Sequence, residues 1–180
     1  PLFDYQKDIL RKYKKNQNNI VLKSRQTGLS VITAAFVVWC LFFKKDQMIQ
    51  IVANDRNGAV RFLNLVKRFI EFTPEYLRPS AEPLKDNETE IVYHTYNEKN
   101  EKMPGNRVQA VAAGPNAGRG ESLSMLILDE TAFIDKADRI WESAAMSLSG
   151  TKGKCIMIST PFGTGNLYHR TWTQAEKGEG

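Results

Sequence analysis

Two kinds of apolar pattern take turns along this chain. Short dense runs at residues 19–22, 48–53, 125–128 and 154–159 suit strands covered on both faces. Longer stretches between them suit helices. Residues 3–15 read as one, and residues 29–43 as a second that is apolar almost throughout, from Val31 and Ile32 to Leu41 and Phe43. Asp55 caps a third through about residue 72, with Phe62, Leu63, Val66 and Ile70 on its apolar face, and Pro74 ends it. Residues 137–148 and 166–176 give two more, the last with Tyr168 and Trp172 on one side. Residues 90–95 and 107–112 are further strands around a polar turn at 97–105. Residues 77–89, with Pro79, Pro83 and several charges, read as an irregular excursion. Such regular alternation predicts an α/β fold with a mainly parallel central sheet flanked by helices on both faces.

Composition narrows the picture only slightly. A chain of 180 residues that is 42% hydrophobic suits one domain over 1–180, which at this size buries roughly 70% of its unfolded surface. A net charge of +5 leans toward a polyanion partner. The densest basic stretch, Lys7, Arg11, Lys12, Lys14 and Lys15, suits tracking phosphates, although a solvated helix face is the simpler reading. Cys40 and Cys155 fall in apolar elements and read as buried reduced thiols of a reducing compartment. His94 and His169 are isolated, so no histidine-based metal site is expected. The apolar run at 31–43 is shorter than the ~20 residues a membrane span needs. No secretory signal is visible, and a chain starting at Pro1 without an initiator methionine is expected to be part of a longer one.

Chemistry enters with Lys23-Ser24-Arg25-Gln26-Thr27-Gly28-Leu29-Ser30, between the first dense run and the apolar helix. A phosphate-binding P-loop, G-x-x-x-x-G-K-[ST], needs a turn that aims N–H groups at phosphates, a lysine for their charge and a hydroxyl for Mg2+. Gly28 and Ser30 are in register, but Leu29 occupies the lysine slot and Lys23 the first glycine slot. A helix opening at Gly28-Leu29 would still point free N–H groups and its positive dipole end at an anion. Within the loop, Lys23 and Arg25 are the candidates for the missing charge. Met125-Leu126-Ile127-Leu128-Asp129-Glu130 reads as a Walker B strand: Asp129 would hold Mg2+, and Glu130 would polarise the attacking water. Ser159 and Thr160, closing the strand at 154–159, stand where a γ-phosphate could be sensed, unless they simply end the strand. Arg119 in a Gly-Arg-Gly turn suits an arginine finger or an ordinary loop arginine.

In order and spacing these motifs resemble the ATPase domain of the large terminase subunit, the DNA-packaging motor of tailed bacteriophages. The resemblance rests on Ser24 to Gly28, on Met125 to Glu130 with Thr131-Ala132-Phe133-Ile134 after it, and on Ile158 to Gly163, and it runs from Tyr5-Gln6 to the 166–176 helix. It implies a P-loop NTPase of the ASCE/RecA-like kind, with ATP and Mg2+ as cofactors. It also implies that Gln6 reads adenine beside Phe3 or Tyr5 and that the loop, including Gln26, Thr27 and Leu29, wraps the phosphates. Lys23 would then stand in for the lysine, Arg25 act as a phosphate sensor, Ser159 and Thr160 couple hydrolysis to motion, and Arg119 act in trans between subunits. The implied partners are double-stranded DNA, the portal protein, the small terminase subunit and further copies forming a ring, a pentamer, on the portal, with a monomer in isolation. The implied place is the host cytoplasm, with no secretion and no membrane. No carboxylate cluster outside Walker B supports cutting, so no nuclease activity is expected of this chain, which a plasmid incubated with Mg2+ or Mn2+ would test. Two other readings stay open: a superfamily 2 helicase-like ATPase, which is expected to need a full loop lysine and a second RecA-like domain, and a nucleotide-binding module that no longer hydrolyses.

Overall fold

The computed structural model describes residues 1–79, 83–96, 98–115, 117–118 and 122–178. Its elements follow in the order α1 (Asp4–Lys15), β1 (Asn18–Leu22), α2 (Leu29–Phe43), β2 (Met48–Ala53), α3 (Arg56–Phe72), β3 (Lys85–Asn87), β4 (Glu90–Tyr96), β5 (Lys102–Ala112), β6 (Met125–Asp129), α4 (Ala137–Thr151), β7 (Lys154–Ser159) and α5 (Leu167–Glu176). Single 3-10 turns sit at Glu75–Leu77 and Thr131–Phe133. The strands form one seven-stranded sheet in the order β1-β7-β6-β2-β5-β4-β3. The first five are parallel, and β4 and β3 complete it antiparallel.

The dense runs are strands because their alternate residues feed two different cores. Ile49, Ile51, Met125, Ile127, Ile156 and Ile158 face α1, α2 and α3, against Tyr13, Phe36, Val37, Phe62 and Leu63. Val52, Leu126, Leu128, Cys155 and Met157 face α4 and α5, against Ile140, Ala144, Leu148 and Leu167. The apolar helix α2 lies wholly on the first face, nine of its residues being buried. Asp55 caps α3 by accepting from the Gly58 N–H at 2.6 Å.

Two expectations need correction. The excursion at 77–89 contains the edge strand β3, which pairs antiparallel with β4. Its three residues are all polar and exposed, so no apolar alternation marks it. The turn at 97–105 is shorter than its composition suggests, since β5 already begins at Lys102. Pro104 and Gly105 read as turn formers, yet Pro104 pairs with His94 across a register shift, and a Cβ on Gly105 would stand 3.1 Å from the Thr95 nitrogen. The basic stretch of α1 is largely committed locally. Lys7 pairs with Asp4, Lys12 with Asp8, and the Lys14 ammonium stands 5.8 Å from the centroid of Trp39.

Candidate active site

The loop leaves β1 still tethered to the sheet, the Lys23 N–H donating to the Ser159 carbonyl at 3.0 Å. Thr27 Oγ donates back to the Ser24 carbonyl at 3.2 Å, tightening the turn. Gln26 at φ 63° and Gly28 at φ 71° both take left-handed backbone, which costs a non-glycine residue about 1–2 kcal/mol. At Gly28 a side chain would be doubly unwelcome, because its Cβ would stand 3.0 Å from Gln6 Nε2. Gln6 itself is buried. Its Nε2 and the Tyr5 hydroxyl both donate to the Thr27 carbonyl, at 3.2 and 2.8 Å, and its Oε1 accepts from the Phe3 N–H at 3.2 Å. Gln6 therefore braces the loop in this structure, while the exposed rings of Phe3 and Tyr5 stack at 5.7 Å beside it.

Leu29 and Lys23 exchange the usual places of grease and charge. Leu29 is 4% exposed and belongs to the core that α2 forms with the sheet. The Lys23 side chain reaches over the loop instead, with Nζ 3.0 Å from Glu130 Oε1, 3.6 Å from Asp129 Oδ1 and 3.3 Å from Ser30 Oγ. Its side chain is only 11% exposed, so the ammonium is held largely out of water. Ser24, Arg25 and Gln26 lie along the outer rim of the loop, all three exposed. Arg25 lines both the hollow over the loop and the wider cleft beside it.

Topology explains why Ser159 and Thr160 join the site. β7 lies between β1 and β6, with Leu22 opposite Ser159 and Asp129 opposite Ile158, so three strand ends converge. Glu130 follows β6 with φ 52°, a left-handed turn that aims its carboxylate across at β7. Glu130 Oε2 accepts from the Thr160 N–H at 3.1 Å, from Thr160 Oγ at 3.2 Å and from Ser159 Oγ at 3.5 Å. Ser159, fully buried, also accepts from the Ala132 N–H at 3.1 Å, linking β7 to the 3-10 turn after Walker B. The two carboxylates differ in environment. Burial pushes Asp129 above the ordinary carboxylate range, with Lys23 offsetting only part of it. Burial also pushes Glu130 upward, but hydrogen bonds from Lys23 and Thr160 outweigh it and hold Glu130 below its ordinary value.

Ser30 Oγ and Asp129 Oδ1 stand 3.5 Å apart. That is close to the ~3 Å edge of an octahedron with ~2.1 Å bonds, so the pair fits two positions around Mg2+. Among the described residues no group of three or more His, Cys, Asp or Glu could hold a metal, so phosphate oxygens and water would complete the shell.

Sequence reasoning missed one wall of this site. A cleft of about 700 Å³ opens beside Asp129, Glu130 and Thr160, and its far side is α3, presenting Arg61, Asn64 and Arg68. Their spacing puts them on one helix face, but a polar face on an amphipathic helix gives no sign of what it overlooks. Arg119 lies outside the described residues. Gly118 before it is pinned, its N–H donating to Gln50 Oε1 at 2.6 Å.

Comparison with known proteins agrees with this fold. The mutant ATPase domain of the Thermus phage P74-26 large terminase matches with a TM-score of 0.75 at 22% identity, over 94% of this chain and 69% of that one. The HK97 bacteriophage large terminase gives 0.75 at 18%, over 99% of this chain and 37% of its own. The large terminase of a thermophilic bacteriophage, in complex with ADP, gives 0.74 at 12%, over 99% and 44%. At these identities the likeness is one of fold, the P-loop NTPase fold, and the chain spans less than half the length of the last two proteins. A family model described as terminase large subunit, T4likevirus-type, N-terminal matches residues 20–180. Covered by that model over most of its length, with a P-loop, a Walker B strand and the Ser159-Thr160 strand end in one site, the chain belongs to the terminase large-subunit family.

Proposed function

We propose that this chain hydrolyses ATP with magnesium and, within a large terminase, drives double-stranded viral DNA through the portal protein into a procapsid. The observation that supports this most is the Lys23 ammonium, 3.0 Å from Glu130 and 3.3 Å from Ser30, which supplies over the loop the charge that Leu29 cannot. Backbone N–H groups at the start of α2 cradle the phosphates, and Lys23 transfers from the carboxylates to them. Thr160 holds Glu130 by two hydrogen bonds that do not depend on Lys23, so the carboxylate stays aimed at the attacking water when the lysine moves. Ser30 and Asp129 would hold Mg2+, which when bound neutralises charge on the phosphates. Arg25 senses the terminal phosphate from the loop. Gln6, which braces the loop through Thr27, links adenine recognition to loop shape by exchanging that bond for one to the base.

Arg119 is assigned as a finger acting in trans, in a ring of copies on the portal that also engages the small terminase subunit. Its signature is turnover per chain that rises with protein concentration and with portal and DNA, and an Arg119→Ala chain that kept the rise would sink the assignment. The ATPase reading itself is tested by phosphate release from the purified chain and from Glu130→Ala. Loss of the base lowers turnover by about 100-fold or more. Equal rates in the two, or none in either, would instead favour a nucleotide-binding module.

A further inference from the structure

The geometry points to a second anion site in the cleft, formed by Arg61 and Arg68 of α3, that receives the phosphate released by hydrolysis. This rests on the ATPase reading above. Hydrolysis forms one bond from the water oxygen to the γ-phosphorus and breaks the bond to the β–γ bridging oxygen, whose electron pair leaves with ADP. The water loses one proton, taken up by Glu130 and passed to solvent. In-line displacement carries the phosphorus away from ADP, toward the side from which water attacked. Glu130 borders both the hollow over the loop and the cleft, so that side opens onto α3.

The product is an inorganic phosphate of about two negative charges formed against two carboxylates, Asp129 and Glu130, and it needs cations on its far side. The far wall of the cleft presents Arg61 and Arg68, seven residues apart on one helix face. Neither guanidinium forms a salt bridge or hydrogen bond among the described residues, whereas Arg56 on the same helix pairs with Glu88 at 2.7 Å. Guanidinium forks match phosphate oxygens bidentately, and both are exposed enough to hand the phosphate on to water. Arg25 lines the same cleft and adds a further positive charge to it.

The test is calorimetric titration of inorganic phosphate into the chain, with and without saturating ADP and Mg2+, for wild type, R61A, R68A and the double Lys variant R61K/R68K. Saturable binding is expected in wild type, weakened about tenfold by either alanine and partly retained by the lysines, on the scale of one charge-assisted contact each. Affinity for ADP and the melting temperature should not move, since both arginines are exposed on an otherwise well-packed helix. Phosphate affinity equal in wild type and the alanine variants overturns the assignment while leaving the ATPase reading intact. Failure of wild type to bind ADP sinks the ATPase reading itself. Loss of duplex DNA binding in R61A and R68A with unchanged phosphate affinity would also overturn the assignment, in favour of a DNA contact.

Discussion

Tyr13 and Tyr168 are both buried, yet their hydroxyls stand in opposite situations. Tyr13 shares a 3.2 Å hydrogen bond with Thr33 Oγ, and Thr33 in turn donates to the Leu29 carbonyl at 2.8 Å, tying α1 to the start of α2. The Tyr168 hydroxyl has no partner among the described residues. Removing a satisfied hydroxyl should cost about 1 kcal/mol, whereas removing an orphaned one should cost nothing or stabilise. Thermal unfolding should therefore show Tyr13→Phe melting below wild type and Tyr168→Phe at or above it; the reverse order would break the account of both sites. Burial also pushes the Tyr13 hydroxyl and the Cys40 and Cys155 thiols up to about 12. The folded state then keeps protons that the unfolded chain loses from about pH 9, so this stability is complete below that pH and is lost as pH rises toward 12. A melting temperature as high at pH 11 as at pH 8 would contradict it. In the native chain both thiols should resist a disulfide reagent at pH 8. The sequence already marked both cysteines as buried by the apolar elements around them; it left Lys23 and Arg25 as equal candidates because reach across a loop is a property of the fold.

Among the elements, the parallel strands and the helices were legible because each is dense in apolar residues at its own period. What escaped was pairing without burial. β3 is held by its ladder with β4 and by Lys67, which bonds Asp86 and the Asn87 carbonyl, none of it apolar. The α3 wall of the cleft escaped for the same reason, its arginines being indistinguishable from a solvated face. β7 shows the converse: its run predicted a strand, but only the sheet order shows that it lies between β1 and β6 and brings Thr160 to Glu130. Thr160→Val should therefore lower turnover while leaving nucleotide affinity nearly unchanged, since it strips a hydrogen bond from the base and none from the loop. Comparable losses in kcat and affinity would point to a collapsed site. Gly118 carries a structural demand of its own. With φ +74° and a Cβ that would come within 2.8 Å of the Ile140 carbonyl, Gly118→Ala should destabilise by about 1–3 kcal/mol. A wild-type melting curve for that variant would show that the turn before Arg119 is not pinned.

At the scale of the whole molecule, five parallel strands end on one side, and every described residue assigned to ATP chemistry stands at or beside those ends. There the fold brings Ser30 to Asp129 and Thr160 to Glu130, and Lys23 reaches both carboxylates from the front of the loop. The net charge of +5 agrees with a polyanion partner without saying where it binds. The mechanism proposed above turns on Lys23 performing the work of the displaced loop lysine. It is tested most directly by Mg2+-dependent phosphate release and ATP affinity in Lys23→Ala beside wild type. Lys23→Ala should bind ATP about tenfold more weakly or worse, the scale of one charge-assisted hydrogen bond, with turnover reduced as well. ATP affinity and phosphate release unchanged in Lys23→Ala would contradict it.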